Sequence, residues 1–223
     1  MQNLLFVTVG VSAIRDRMID DPAEDKLREL LKRLKSADPA DWPEARPGLI
    51  KWHRSRWAER TSVDDGRLVL RTSAELLTTA KILRQLYELS PACDVARVIL
   101  LASNTPDGQF AAEVNREVMQ SPEYAPVKPM PAVAIELIPA PSSQSVETLS
   151  DCILKAVNRH RDSENDRVIF NITGGFGGVN TLIGMQAVHY GYRLCYQHQT
   201  MQQPVYIGQN LRAYTSPEPW IIS

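Results

Sequence analysis

Three cysteines in 223 residues, Cys93, Cys152 and Cys195, stand far apart with no CxxC pair. That spacing fits neither a disulfide framework nor a thiolate zinc site, and the expectation is a reducing cytoplasm. His160 and His189 have no partner at metal-ligand spacing, so no metal site and no cofactor is expected. Neither sign of charge is in excess: 25 Lys and Arg face 26 Asp and Glu, for a net charge of -1. A surface built as an electrostatic footprint for DNA is therefore excluded, and any anion site must be local. No stretch approaches the roughly 18 apolar residues of a membrane span, and "MQNLLFVTVG" has no basic region before its apolar run. Glycine is also sparse, at 11 residues, yet four of them fall between Gly174 and Gly178.

What is present reads as one α/β domain. Leu4 to Val9 is a short continuous apolar run ending in Gly10, the pattern of a strand buried on both faces of a parallel sheet. From Pro22 to Lys35, Ala23, Leu27, Leu30, Leu31 and Leu34 form a helical stripe, with Asp21 as N-cap, Pro22 at the first helical position and Glu24 closing a capping box. "SADPADWPEARPG" is proline-rich and reads as a loop, and "LIKWHRSRWAER" as a short amphipathic helix. After Leu68 to Leu70, "TSAELLTTAKILRQLYEL" opens with a Thr72/Glu75 capping box and carries Leu76, Leu77, Ala80, Leu83, Leu86 and Tyr87 on one stripe.

The rest alternates. Strands are expected at 95–101, 133–138, 168–171 and 192–196, and helices at 107–119, 146–157 and 179–188. This is the signature of βαβ units in a mostly parallel, Rossmann-like sheet with helices on both faces. "PVYIGQNLRAY" suggests an antiparallel hairpin at the C-terminal sheet edge. Residues 15–70 read as a helical insertion after the first strand, within a single domain spanning 1–223.

In an open α/β sheet, ligands bind beyond the carboxyl ends of the strands, where the strand order reverses. Three such ends carry small polar residues: "TVGVSA" (Thr8 to Ala13), "ASNTPDG" (Ala102 to Gly108) and "NITGGFGG" (Asn171 to Gly178). Glycines there leave backbone N–H groups bare, and a helix N-terminus adds partial positive charge, so phosphate is the natural ligand. Neither glycine segment gives GxGxxG and no GxxxxGK[ST] occurs, which argues against a nicotinamide or ATP site. "GGFGG" has two readings from its mechanics, a tight strand-to-helix turn or a ligand cradle. Asn104 and Thr105 likewise read as ligand contacts or as turn chemistry.

Taken in order, "VTVGVSAI", "TSAELL", "VILLASNTPDGQFAAEV", "VIFNITGGFGG" and "YRLCYQHQTMQQPVYI" resemble the motifs of the CARF family, the CRISPR-associated Rossmann fold domains. The resemblance implies a homodimer whose two-fold axis passes through a shared pocket for cyclic oligoadenylate, foremost cyclic tetra-adenylate, the second messenger of type III CRISPR complexes. It implies ligand contacts from Thr8, Gly10, Val11, Ser12, Asn104, Thr105, Asn171, Thr173, Gly174, Gly175, Phe176 and Gly177. Members of the family either pass the signal to an effector domain or cut the messenger as ring nucleases.

The stretch after Tyr196 is too short for a nuclease or winged-helix domain, and residues 15–70 contain no RxxxxH signature. The expectation is therefore a stand-alone ring nuclease that works without metal, by attack of a ribose 2'-hydroxyl on the adjacent phosphate. Ser12 and Arg15 are its candidate catalytic residues. The alternative is a non-catalytic sensor or sponge acting through a CRISPR effector partner.

Ring nucleases that this chain resembles carry "TGGFK", and Gly177 stands in place of that lysine. A cation then has to come from Arg15 or Arg17, or from Lys51, His53, Arg54 and Arg56, with Trp52 and Trp57 stacking adenines as a lid. The first reading of that stretch is plainer: a helix with a solvated basic face and its tryptophans in the core. His198 reads as a general acid or a surface histidine, and Glu75 as a capping residue first.

Overall fold

The computed structural model describes residues 2–14, 25–34, 42–59, 72–90, 94–140, 145–175, 177–197, 203–208 and 212–218. Seven strands form one sheet: β1 (Asn3–Thr8), β2 (Val95–Ser103), β3 (Ala132–Ile138), β4 (Arg167–Asn171), β5 (Arg193–Tyr196), β6 (Val205–Ile207) and β7 (Ala213–Tyr214). Their order is β3-β2-β1-β4-β5-β6-β7. The first five pair in parallel and the last two antiparallel, so the expected edge hairpin is present. The fold class read from the sequence is the one observed.

β1 is an interior strand, flanked by β2 and β4, and all six of its residues are buried, because helices cover both faces of the sheet. Side chains of a strand alternate between those faces. Leu5 and Val7 pack with Leu76, Ala80 and Leu83 of α3 (Ala74–Leu89) and with Ala111 and Val118 of α4 (Pro106–Met119). Leu4 and Phe6 pack the other way, with Ile153 and Val157 of α5 (Val146–His160) and Ile183 and Ala187 of α6 (Gly177–Tyr190). Each fully buried aliphatic or aromatic side chain here is worth about 1.5–3 kcal/mol of transfer free energy. The two-sided core fixes β1, and with it the position of the turn that follows Thr8.

Within residues 15–70 two helices are described, α1 (Asp25–Leu34) and α2 (Trp42–Glu59). α1 accords with the expected stripe, of which Leu31 is buried; its expected caps at Asp21, Pro22 and Glu24 lie outside the described residues, as do Leu68 to Leu70. α2 corrects the sequence reading. Residues 42–48, expected as loop, form its opening turns. Pro43 sits in the first turn, where a helix needs no N–H, while Pro47 lies inside the helix and forgoes one backbone bond. Packing overrides that loss: Ala45, Leu49 and Trp52 join Ala13, Leu31, Phe110 and Val114 in a third buried cluster.

Trp57 is buried against Tyr124, with ring centroids 4.7 Å apart. Both tryptophans proposed as a stacking lid are thus core residues, as the plainer reading held. Of the basic residues beside them, Lys51 is exposed and Arg54 pairs with Glu123 at 2.6 Å. No helix among the described residues is long and apolar enough to cross a membrane.

Candidate functional site

The strand order reverses between β1 and β4, so the crevice beyond their carboxyl ends is the ligand position that sheet topology favours. Register sets the two ends side by side: Val7 pairs with Asn171, and Thr8 with Leu101 of β2. The Thr8 hydroxyl donates to the Gly174 carbonyl at 2.7 Å and lies 3.2 Å from that of Asn171. Asn180, in the first turn of α6, donates to the carbonyls of Ile172 and Gly174 at 3.0 and 2.9 Å. Asn171 is fully buried; its side chain takes the Thr173 N–H and donates to Thr79 of α3. Thr173 in turn accepts from the N–H of Gln197. Polar side chains, not apolar packing, hold this turn.

The glycines divide into two kinds. A Cβ on Gly174 would stand 2.3 Å from Glu75 Oε1 and 2.6 Å from the Thr8 carbonyl oxygen, and Gly175 has a φ of +80° with Thr8 Cβ 2.9 Å from where its own Cβ would be. A Cβ on Gly10 would come within 3.0 Å of the Gly175 nitrogen. Gly174 and Gly175 leave no room for a side chain and Gly10 is tight against Gly175, because here two strand ends meet closely. Gly177 and Gly178 are exposed, and an added Cβ at either would meet nothing within 4 Å. They begin α6, whose first-turn N–H groups have no partner within the helix.

Glu75 is where the structure departs most from the sequence reading. The N-cap of α3 is Ser73, in extended backbone, whose hydroxyl accepts from the Leu76 N–H at 3.1 Å. Thr72 is not the cap, and Glu75 is not a capping partner. Glu75 has 0% of its surface exposed. Its Oε1 accepts the N–H of Gly10 at 2.8 Å and its Oε2 accepts the hydroxyl of Ser12. With the cap supplied by Ser73, the side chain is released to cross from α3 to the turn after β1. A carboxylate buried in this way is tolerable only because it is hydrogen-bonded.

His53 holds the same turn from the other side. Fully buried on α2, it lies 2.9 Å from the Ala13 carbonyl and 3.0 Å from the Thr72 hydroxyl. Burial lowers its pKa to about 4, the Ala13 hydrogen bond only partly offsetting that. The ring is neutral at pH 7. A carbonyl can only accept, so Nε2 carries the proton and Nδ1 accepts from Thr72. His53 is accordingly not a cation for phosphate; it ties α2 to the 3-10 turn Ser12–Ile14.

At the end of β2, Thr105 caps α4 by accepting from the Gly108 N–H, and the Asn104 side chain accepts from Ala140. Both therefore serve the turn. Thr8, Val9, Leu101, Ser103, Ile138, Gly175 and Val179 line a small crevice between these strand ends and α6. The structure thus brings together Thr8, Gly10, Ser12, Asn171, Thr173, Gly174 and Gly175. Gly177 lies beside them on the open side, Val11 belongs to the turn through its carbonyl bond to Ile14, and Asn104 and Thr105 sit at the neighbouring strand end. Arg15, Arg17, Phe176 and His198 lie outside the described residues.

Sequence reasoning missed the part played by Asn180 and misassigned Glu75. An Asn two residues after a glycine cluster was a legible signal for a turn clamp. Nothing local marked Glu75, since its partners are 65 and 63 residues away.

Among the described residues no cluster of three His, Cys, Asp or Glu is placed to hold a metal ion. No curated protein matches the chain. Residues 70–209, from just before α3 to just past β6, match the family described as CRISPR-associated protein (Cas_APE2256). With more than half of its length matched, the chain belongs to this CRISPR-associated family.

Proposed function

We propose that the protein binds a cyclic oligoadenylate, cyclic tetra-adenylate foremost, in a pocket completed by a second copy of the chain, and cleaves it as a ring nuclease. One observation carries the reading: at the switch point of the sheet, the main chains of Gly10 and Gly175 abut beside the open N-terminus of α6 at Gly177 and Gly178. Bare backbone and a helix N-terminus suit phosphate, and membership of a CRISPR-associated family accords with the resemblance to domains that take cyclic oligoadenylate. Thr8, Gly10, Val11, Ser12, Asn104, Thr105, Asn171, Thr173 and Gly174 to Gly177 form or frame the ligand surface, with Arg15 beside it in the chain.

The outer face of α6 supports the dimer. It starts at the glycine turn and exposes Met185 at 66% and Val188 at 55%, with Gly177, Gly178, Thr181 and Gly184 along the same helix and no charged residue among these six positions. An apolar face continuous with a half-pocket suits burial against its own copy across a two-fold axis. Two copies then present two glycine turns to a ring of repeated phosphates.

Cleavage requires the ribose 2'-hydroxyl to be held in line with the leaving 5'-oxygen, yielding a 2',3'-cyclic phosphate; the nucleophile is the substrate's own, so the protein's part is alignment and charge stabilisation. Ser12 is the side chain at the turn suited to that alignment. The second reading, a binding module that signals through an effector partner, rests on Gly177, which offers no cation where similar ring nucleases have lysine.

Titration calorimetry with cyclic tetra-adenylate tests the binding. One ring per two chains is expected, with linear tetra-adenylate binding far more weakly; absence of heat and of complex with the ring overturns the reading.

A further inference from the structure

We propose that Glu75 is a positioning residue that turns the Ser12 hydroxyl into a hydrogen-bond acceptor for the attacking ribose and receives the proton passed through it; this rests on the ring-nuclease reading above. A serine hydroxyl has one proton to donate and two lone pairs to accept with. Its proton is committed to Glu75 Oε2, and Glu75 Oε1 is occupied by the Gly10 N–H. What Ser12 still offers a ligand is acceptor capacity. A phosphate oxygen, itself an acceptor, gains nothing there, whereas a ribose 2'-hydroxyl does.

The same arrangement sorts the ligand within the pocket. The Gly10 N–H and the Ser12 hydroxyl are both taken by Glu75, which assigns the phosphate to the α6 side, where Gly177 and Gly178 leave open space. Glu75 is fixed for this part. Gly174 lets it approach, since a Cβ there would stand 2.3 Å from Oε1, and α3 carries its own cap in Ser73. His53 holds the carbonyl of Ala13, the residue after Ser12, at 2.9 Å.

The step balances without a further reactant. The 2'-oxygen forms its bond to phosphorus as the bond from phosphorus to the 5'-oxygen breaks. The 2'-proton passes to Ser12 Oγ while the proton of Ser12 passes to Glu75. The departing 5'-oxygen takes a proton from water, and Glu75 returns its proton to solvent. The products are a 2',3'-cyclic phosphate and a 5'-hydroxyl.

The test is single-turnover cleavage of cyclic tetra-adenylate, with affinity measured in parallel, for the wild type, Glu75→Gln, Ser12→Ala and the double variant. Glutamine keeps the shape but presents an amide N–H₂ to one of the two donors. Expected is a rate loss of at least about 100-fold in Glu75→Gln, the scale of general base catalysis, with affinity within about threefold. The double variant is expected to be no slower than Ser12→Ala. An undiminished rate in Glu75→Gln, or losses that multiply in the double variant, overturns the relay while leaving the ring-nuclease reading in place. A wild type that binds without cleaving overturns the relay and favours the binding module; one that does neither overturns the functional reading itself. If Glu75→Gln lacks a cooperative melt, Ser12→Ala decides, and an undiminished rate there overturns the proposal.

Discussion

Gly10 and Gly175 stand so close that a Cβ on the first would lie 3.0 Å from the backbone nitrogen of the second. Two loops separated by most of the chain are thus welded where the strand order reverses, between β1 and β4. The weld is part of the fold, and the open glycines next to it are where a ligand has room.

That division predicts opposite outcomes for neighbouring substitutions. Gly174→Ala drives a methyl into Glu75 and the Thr8 carbonyl, and is expected to destabilise by about 2–3 kcal/mol, as overpacking does. Gly177→Ala meets nothing within 4 Å, and is expected to be neutral or to stabilise by up to about 1 kcal/mol through the unfolded chain. Urea unfolding of the two variants checks both; equal effects would mean the glycines do not divide in this way.

Under the ring-nuclease proposal, Gly177→Lys supplies the lysine of the "TGGFK" motif. The backbone has room for the side chain, so folding is expected to be unaffected. The single-turnover rate on cyclic tetra-adenylate is expected to rise by about tenfold or more, the scale of one added phosphate contact in the transition state. A rate no higher than wild type would place the catalytic cation elsewhere.

His53 makes stability depend on pH. Its folded-state pKa of about 4 lies below the ordinary 6.5, so between these values the unfolded chain binds a proton that the folded chain refuses. Stability therefore falls as pH drops through that window, by up to roughly 3 kcal/mol in all. Denaturant unfolding at a series of pH values is expected to show this slope in the wild type and a flatter one in His53→Gln. Parallel slopes would mean the imidazole is not held neutral.

The dimer face gives a further test. Met185→Asp places a charge on the most exposed apolar side chain of the α6 stripe and is expected to shift sedimentation to a monomer and weaken ring binding by at least about tenfold, since half the pocket is lost. An unchanged sedimentation profile would put the interface on another surface.

The fold was largely legible in the sequence because its signals are local. Buried strands read as short apolar runs, and α5 follows from helical periodicity. The opening of α2 did not, since Pro43 and Pro47 argue for a loop until Phe110 and Val114 supply a surface to pack on. At the site, the glycine turns were legible from composition, whereas the partnership of Glu75 with Ser12 depends on a tertiary approach that no spacing along the chain encodes. The Thr72/Glu75 spacing reads as a capping box, but the helix starts one residue later, with Ser73 as its cap; that shift decides whether Glu75 serves its own helix or the site.

Incubation of cyclic tetra-adenylate with excess protein in EDTA, followed by chromatography of the products, tests the central claim most directly. The account predicts disappearance of the ring and linear products ending in 2',3'-cyclic phosphate, whereas a ring recovered intact after hours would contradict it.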